Sequence, residues 1–111
     1  MQRDLIAVDW DGTCVQDWRG DEGEWIEGAV EALTLLSYGY RVTIFTERAG
    51  SYIERLAIRR KLDAAGLSNV TVWATAGKPA AHRFIDNRAI RFRGNWEEIL
   101  PLLGIGVPHH D

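Results

Sequence analysis

Leu5-Ile6-Ala7-Val8-Asp9-Trp10-Asp11-Gly12-Thr13 is an uninterrupted apolar run that ends in two carboxylates at positions i and i+2. Four apolar residues without polar alternation are the pattern of a strand buried on both faces, as in a parallel sheet covered by helices. Residues two apart on an extended backbone share a face, so Asp9 and Asp11 should lie close together. Like charges that near one another require either a cation between them or a proton on one of them. Either arrangement suits phosphoryl transfer.

Outward from this stretch, Ile26, Ala29, Val30, Leu33 and Leu36 recur at helical spacing, with Gly39 placed to supply a left-handed stop. Val42-Thr43-Ile44-Phe45 then reads as a second buried strand, which makes a βαβ unit with parallel strands. A second helix is expected from Ser51 to Ala65, ending at Gly66, with two apolar stripes: Ile53, Leu56, Ala57 and Ala64, or Ile58, Leu62 and Ala65. Either stripe could face the sheet, and the second could instead meet a partner subunit. Val70, Val72 and Trp73 suggest a third strand and Phe84-Ile85 a fourth; Asn95 caps a last helix that Pro101 should kink or end. The expected fold is α/β, a three-layer Rossmann-like domain with a mostly parallel central sheet and no cap domain. From Cys14 to Gly23 the periodicity lapses around Trp18, which suggests a short hairpin or flap over the end of the first strand.

A chain of 111 residues with 46% hydrophobic and 26% charged residues fits one domain, residues 1–111. A net charge of -3 argues against an extended nucleic-acid footprint, and the Arg55, Arg59, Arg60 and Lys61 cluster is expected to be a solvated helix face. Nucleic acid then enters only as a substrate. A lone cysteine, Cys14, and the absence of a leader or long apolar run point to a soluble, cytoplasmic protein without a membrane partner. An oligomer is left open.

In parallel α/β sheets, ligands bind beyond the carboxyl ends of the strands. The strand ends here carry Asp9 and Asp11, then Thr46, then a segment leading to Lys78, then Asp86-Asn87. Hard oxygen donors suit Mg²⁺, which takes one or two carboxylates and keeps several waters; Asp9 and Asp86 could supply them. Asp9 kept ionised can attack phosphorus, while Asp11 holds a proton for the leaving oxygen. Gly12 would turn the backbone and aim its N–H at the phosphate, with the Thr46 hydroxyl and the Lys78 ammonium on equatorial oxygens. Each residue alone has a plainer role as turn, cap or surface loop. Trp18 and Arg48 are candidate substrate contacts, with loop packing and an acid partner as their respective alternatives. His82 starts a strand, at the end away from the chemistry, and reads as structural.

These four motifs, Asp9-Trp10-Asp11-Gly12-Thr13, Thr46, Lys78 and Asp86-Asn87, resemble those of the haloacid dehalogenase (HAD) superfamily, in a capless member. The resemblance implies a Mg²⁺-dependent phosphatase acting on a phosphomonoester through an aspartyl-phosphate. It implies Asp9, Asp11, Thr46 and Lys78 as catalytic, Gly12, Thr13, Trp18 and Arg48 on the substrate, and Asp9, Asp11, Asp86 and Asn87 around the metal. Asn87 stands where many relatives carry an acid, and Lys78 follows its strand too closely before Asp86 for a helical crossover, so it must come from a loop. The competing hypothesis is a receiver-like or non-catalytic phosphate-binding module, although in a receiver the phosphorylated aspartate follows a middle strand.

Overall fold

A computed structural model describes residues 3–16, 23–74, 77, 79–85 and 96–102. The first strand, β1 (Leu5–Asp9), lies at the centre of a four-stranded sheet of order β3-β2-β1-β4, with β2 at Arg41–Phe45, β3 at Thr71–Val72 and β4 at Arg83–Ile85. All pairings are parallel: Val8 sits opposite Ile44 on one side and Ile85 on the other. Such a central strand is covered on both faces, which is why Ile6, Ala7 and Val8 are fully buried and why no polar residue interrupts them.

Helices α1 (Ala29–Gly39) and α2 (Tyr52–Ala64) make the β1–β2 and β2–β3 crossovers, and α3 (Trp96–Leu102) packs against α1. The strand positions Ile6, Val8, Val42, Ile44 and Ile85 share one face by register. They join Leu33 and Leu36 of α1, Ile58 and Leu62 of α2, and Trp96 and Leu100 of α3 in a single buried cluster. On the other face Phe45, beside Asp9, and Phe84, beside Ala7, meet edge to face across β1 with ring centroids 5.7 Å apart. The chain is thus an α/β, Rossmann-like fold: an all-parallel sheet flanked by helices, with no cap domain among the described residues. No helix among them is long and apolar enough to cross a membrane.

Several local expectations are corrected by tertiary context. The first helix starts at Ala29 rather than Ile26, because Gly28, at φ 87°, takes a left-handed turn into the helix; Ile26, outside it, donates its N–H to the Cys14 carbonyl. Its end needs no left-handed residue: Gly39 is the last helical position and Tyr40 goes straight into the extended conformation leading to β2. Gly66, at φ 78°, does provide the left-handed stop expected after α2. Along α2, Ile58 and Leu62 face the core while Ile53 is 78% exposed, so the second stripe is the buried one and is not a docking face for a partner. Nor is the basic cluster simply solvated. Arg59 binds the Val70 and Leu67 carbonyls as well as Asp63, and Arg55 binds the Ala49 carbonyl, so two of its four cations tie loops to the helix. The last helix runs through Pro101 to Leu102; Asn95 lies outside the described residues.

The flap begins as the expected hairpin. Val15 bridges Trp25 antiparallel, Gln16 donates to the Glu24 carbonyl at 2.8 Å, and the tip between residues 17 and 22 lies outside the described residues. Gly23 permits this closure, since a Cβ there would collide with the Gln16 carbonyl, a backbone atom that cannot swing aside. Replacing it should therefore cost about 1–3 kcal/mol. Gly39→Ala, by contrast, meets open space at a helix end and should be neutral or stabilising by up to about 1 kcal/mol. Thermal melts of the two variants check this: Gly23→Ala lowers the midpoint by several degrees and Gly39→Ala does not.

Candidate active site

Asp9 is the last residue of β1 and pairs with Phe45, so Thr46 lies one residue beyond it at the neighbouring strand end. Adjacent strands lie about 4.8 Å apart, which puts the two residues at one edge of the sheet. The Asp9 Oδ1 accepts the Trp10 N–H at 2.8 Å. Beyond it the chain folds into a tight turn in which the N–H groups of Thr13, Cys14 and Val15 all converge on the Trp10 carbonyl. Gly12, at φ 76°, supplies the left-handed residue of this turn, as its position after Asp11 suggests.

Two expectations for this loop need correction. The Gly12 N–H donates to the Val15 carbonyl at 2.8 Å and so is not aimed at a ligand; a turn this tight uses its own amides. Thr13 is fully buried, its N–H lies on the Trp10 carbonyl, and its hydroxyl has no partner among the protein groups, so the side chain is sealed inside the loop rather than offered to substrate. An unsatisfied buried hydroxyl costs about 1–3 kcal/mol.

Asp11 lies at the other side of the turn, partly exposed, with Oδ2 accepting from Arg48 Nε at 2.7 Å. Arg48 also approaches Glu54 at 3.6 Å. Arg48 thus has an acid partner, the plainer of its two alternatives, and it orients the Asp11 carboxylate. Its own position is set by the single 3₁₀ turn Glu47–Gly50, capped by Thr46, whose Oγ1 accepts the Arg48 N–H at 3.3 Å. This cap leaves the hydroxyl hydrogen available, because a threonine oxygen that accepts one bond can still donate another.

Lys78, Asp86, Asn87 and Trp18 lie outside the described residues. Among the described residues no group of three His, Cys, Asp or Glu side chains converges as a metal cage. The donor chemistry of Asp9 and Asp11, two hard carboxylates at one strand end, is of the kind Mg²⁺ accepts, and an ion that takes only one or two protein carboxylates needs no cage. His82 is where a structural role puts it, at the opposite edge of the sheet, its Nδ1 accepting the Leu5 N–H at 2.9 Å and its Nε2 3.5 Å from Asp4.

Two supports escaped sequence reasoning. Trp10, between the acids, is 4% exposed, and its ring meets Trp25 edge to face at 5.3 Å, which ties the Asp9–Asp11 loop to the flap base. An aromatic residue between two acids at a strand end was the only cue. Cys14 is fully buried and its Sγ donates to the Asp9 carbonyl at 3.3 Å. Burial, with the negative charge of Asp9 adding to it, pushes the thiol well above its ordinary value, so the folded protein keeps Cys14 neutral and unreactive.

The sign of the resulting pH dependence follows from linkage. A raised folded value leaves stability intact below the unfolded thiol's value of about 9 and erodes it as pH climbs past that point. Between pH 7.5 and pH 10 the wild type should lose about 1.4 kcal/mol more than Cys14→Ala, as read by urea unfolding at the two pH values. Equal losses in the two proteins would show that Cys14 ionises freely in the fold.

No protein-family model matches the chain, and no curated protein does. Among solved structures, a conserved protein from Bacteroides thetaiotaomicron is similar to it at 26% identity with a TM-score of 0.76, over 93% of this chain and 91% of that one. The likeness extends over nearly the whole of both chains, so the α/β architecture described above is shared throughout.

Proposed function

We propose that this chain is a Mg²⁺-dependent phosphatase, a capless relative of the haloacid dehalogenase superfamily, that hydrolyses a phosphomonoester through an aspartyl-phosphate. The observation that carries the proposal is the placement of Asp9 and Asp11 at the carboxyl end of the central parallel strand, with Thr46 at the end of the adjoining strand and Arg48 fixed on Asp11.

In this scheme an Asp9 carboxylate oxygen attacks phosphorus and the ester oxygen leaves with a proton from Asp11. Water, giving a proton back to Asp11, then attacks the phosphorus of this acyl phosphate, releasing phosphate and the free Asp9 carboxylate. Arg48 engages Oδ2 of Asp11, so the proton exchanges at Oδ1 without breaking that bond. The Thr46 hydroxyl and the Lys78 ammonium would hold the transferred oxygens, and Asp9, Asp86 and Asn87, with Asp11 close by in sequence, would hold the ion. Mg²⁺, when bound, supplies positive charge that offsets the repulsion between the Asp9 carboxylate and the phosphate. The inert thiol of Cys14 fits a reducing, cytoplasmic setting.

The test is steady-state hydrolysis of p-nitrophenyl phosphate. Turnover should vanish with EDTA and return with excess Mg²⁺. A receiver-like module would instead take one phosphoryl group from acetyl phosphate and stop, and that outcome would replace the phosphatase assignment.

A further inference from the structure

Beside Asp11 and Arg48 opens a cleft of about 290 Å³ that runs along α2 to Lys61. This is the small end of the range of ligand pockets, roughly 300–1,000 Å³. Its chemistry changes along its length. The end nearest the candidate site carries Asp11, Arg48 and Glu54 beside Trp10 and Ile53; the next turn of α2 adds the apolar Ala57 and Ile58, and Lys61 follows at the far end.

Two features of this cleft stand apart from the core. Ile53 is 78% exposed, a large apolar side chain in the first turn of α2 that joins no core. Lys61 is half-buried and stands over the Trp25 ring at 5.5 Å, yet no carboxylate pairs with it among the described residues. The other cations nearby are committed: Arg48 to Asp11 and Glu54, Arg59 to Asp63 and two carbonyls. An ammonium that no carboxylate among the described residues neutralises, at the end of an otherwise apolar stretch, is available to an anion. Arg60, next in sequence, lines an adjoining hollow with Trp25, which adds positive charge at the same end. From Glu54 to Lys61 the helix rises about 10 Å.

Resting on the phosphatase assignment above, we propose that this cleft receives the alcohol portion of the phosphomonoester, and that this portion is a flat apolar group ending in a second anionic group held by Lys61. The anion is a carboxylate or a phosphate at the Lys61 end of the cleft, and the rise of the helix from Glu54 to Lys61, about 10 Å, sets the scale of the group between the two ends. Trp10 and Ile53 cover the flat part, and the anion ends the fit.

Three para-linked biphenyl phosphates, ending in a carboxylate, a phosphonate or a neutral carboxamide, test the proposal and separate the two anions. The wild type should favour at least one acid-ended ester over the carboxamide by about tenfold in kcat/KM. Lys61→Met should lose that preference, Lys61→Arg should keep it, and Lys61→Glu should reverse it. Equal kcat/KM for all three esters, or a preference unchanged in Lys61→Met, overturns the proposal. Binding of hydroxybiphenyl carboxylate, followed by calorimetry, gives a readout independent of turnover. If it binds the wild type and weakens about tenfold in Lys61→Met while no ester is hydrolysed, the cleft stands and the phosphatase assignment falls. Hydrolysis without any Lys61-dependent binding or preference has the opposite meaning.

Discussion

Asp9→Asn should reduce hydrolysis of p-nitrophenyl phosphate by at least about a thousandfold, while the melting temperature stays within a few degrees of the wild type. The two parts of this expectation have separate causes. Asparagine has no anionic oxygen to attack phosphorus, so the covalent route closes. It does retain a carbonyl oxygen that can accept the Trp10 N–H now held by Asp9 Oδ1, and Phe45 opposite in the sheet is untouched. The turn after β1 should therefore survive. Turnover unchanged in this variant would assign the attacking group elsewhere, and a collapsed melt would make the position structural rather than chemical.

Asp11→Asn should lower steady-state turnover by about 100- to 1,000-fold, and the loss should depend on the leaving group. Nitrophenolate departs without a proton, so the first step should persist and appear as a burst of about one equivalent; release of phosphate then lacks its base and becomes limiting. With an alkyl phosphate the burst should disappear, because the leaving alkoxide needs the proton as well. The asparagine side chain keeps an oxygen for Arg48, whose Nε now lies 2.7 Å from Oδ2, so the loss belongs to proton transfer and not to a displaced loop. Rapid-quench measurements with the two substrates check it. A burst with neither, or equal losses with both, would remove Asp11 from the proton-transfer role.

Much of the architecture was legible because the interactions that build it are local and periodic. Leu5 to Val8 announce a strand wet on neither face, and the βαβ unit that follows needs only the apolar spacing from Ala29 to Leu36 and the short run into Val42. The parallel pairing of β1 with β2 and β4 is the outcome those patterns imply. That Asp9 and Thr46 fall at the ends of adjoining strands was equally readable, because Asp9 closes the first apolar run and Thr46 directly follows the second. Where two local solutions were equivalent, periodicity could not choose. The two stripes of α2 differ little in apolar content, and only docking against the sheet buried Ile58 and Leu62 and left Ile53 outside.

Backbone hydrogen bonds explain the remaining differences. An amide has one hydrogen to give, and which acceptor takes it depends on how the chain folds back. The Gly12 N–H meets the Val15 carbonyl because the loop closes on itself, and Ile26 stays outside the helix, its N–H on the Cys14 carbonyl at the flap base, because the left-handed Gly28 breaks the chain direction before Ala29. Arg55 and Arg59, solvated cations by pattern, turn inward because loop carbonyls from Ala49, Leu67 and Val70 come within reach.

By itself the sequence determined a parallel α/β domain with acids at the end of its first strand, since apolar runs must be buried and side-chain direction along a strand alternates whatever surrounds it. Only the tertiary structure decided that Arg48 clamps Asp11, that Trp10 locks against Trp25, and that a cleft ending in Lys61 runs beside them. Those contacts join residues far apart in the chain, so their distances are set by how the helix, the flap base and the sheet pack together, and no local spacing encodes them.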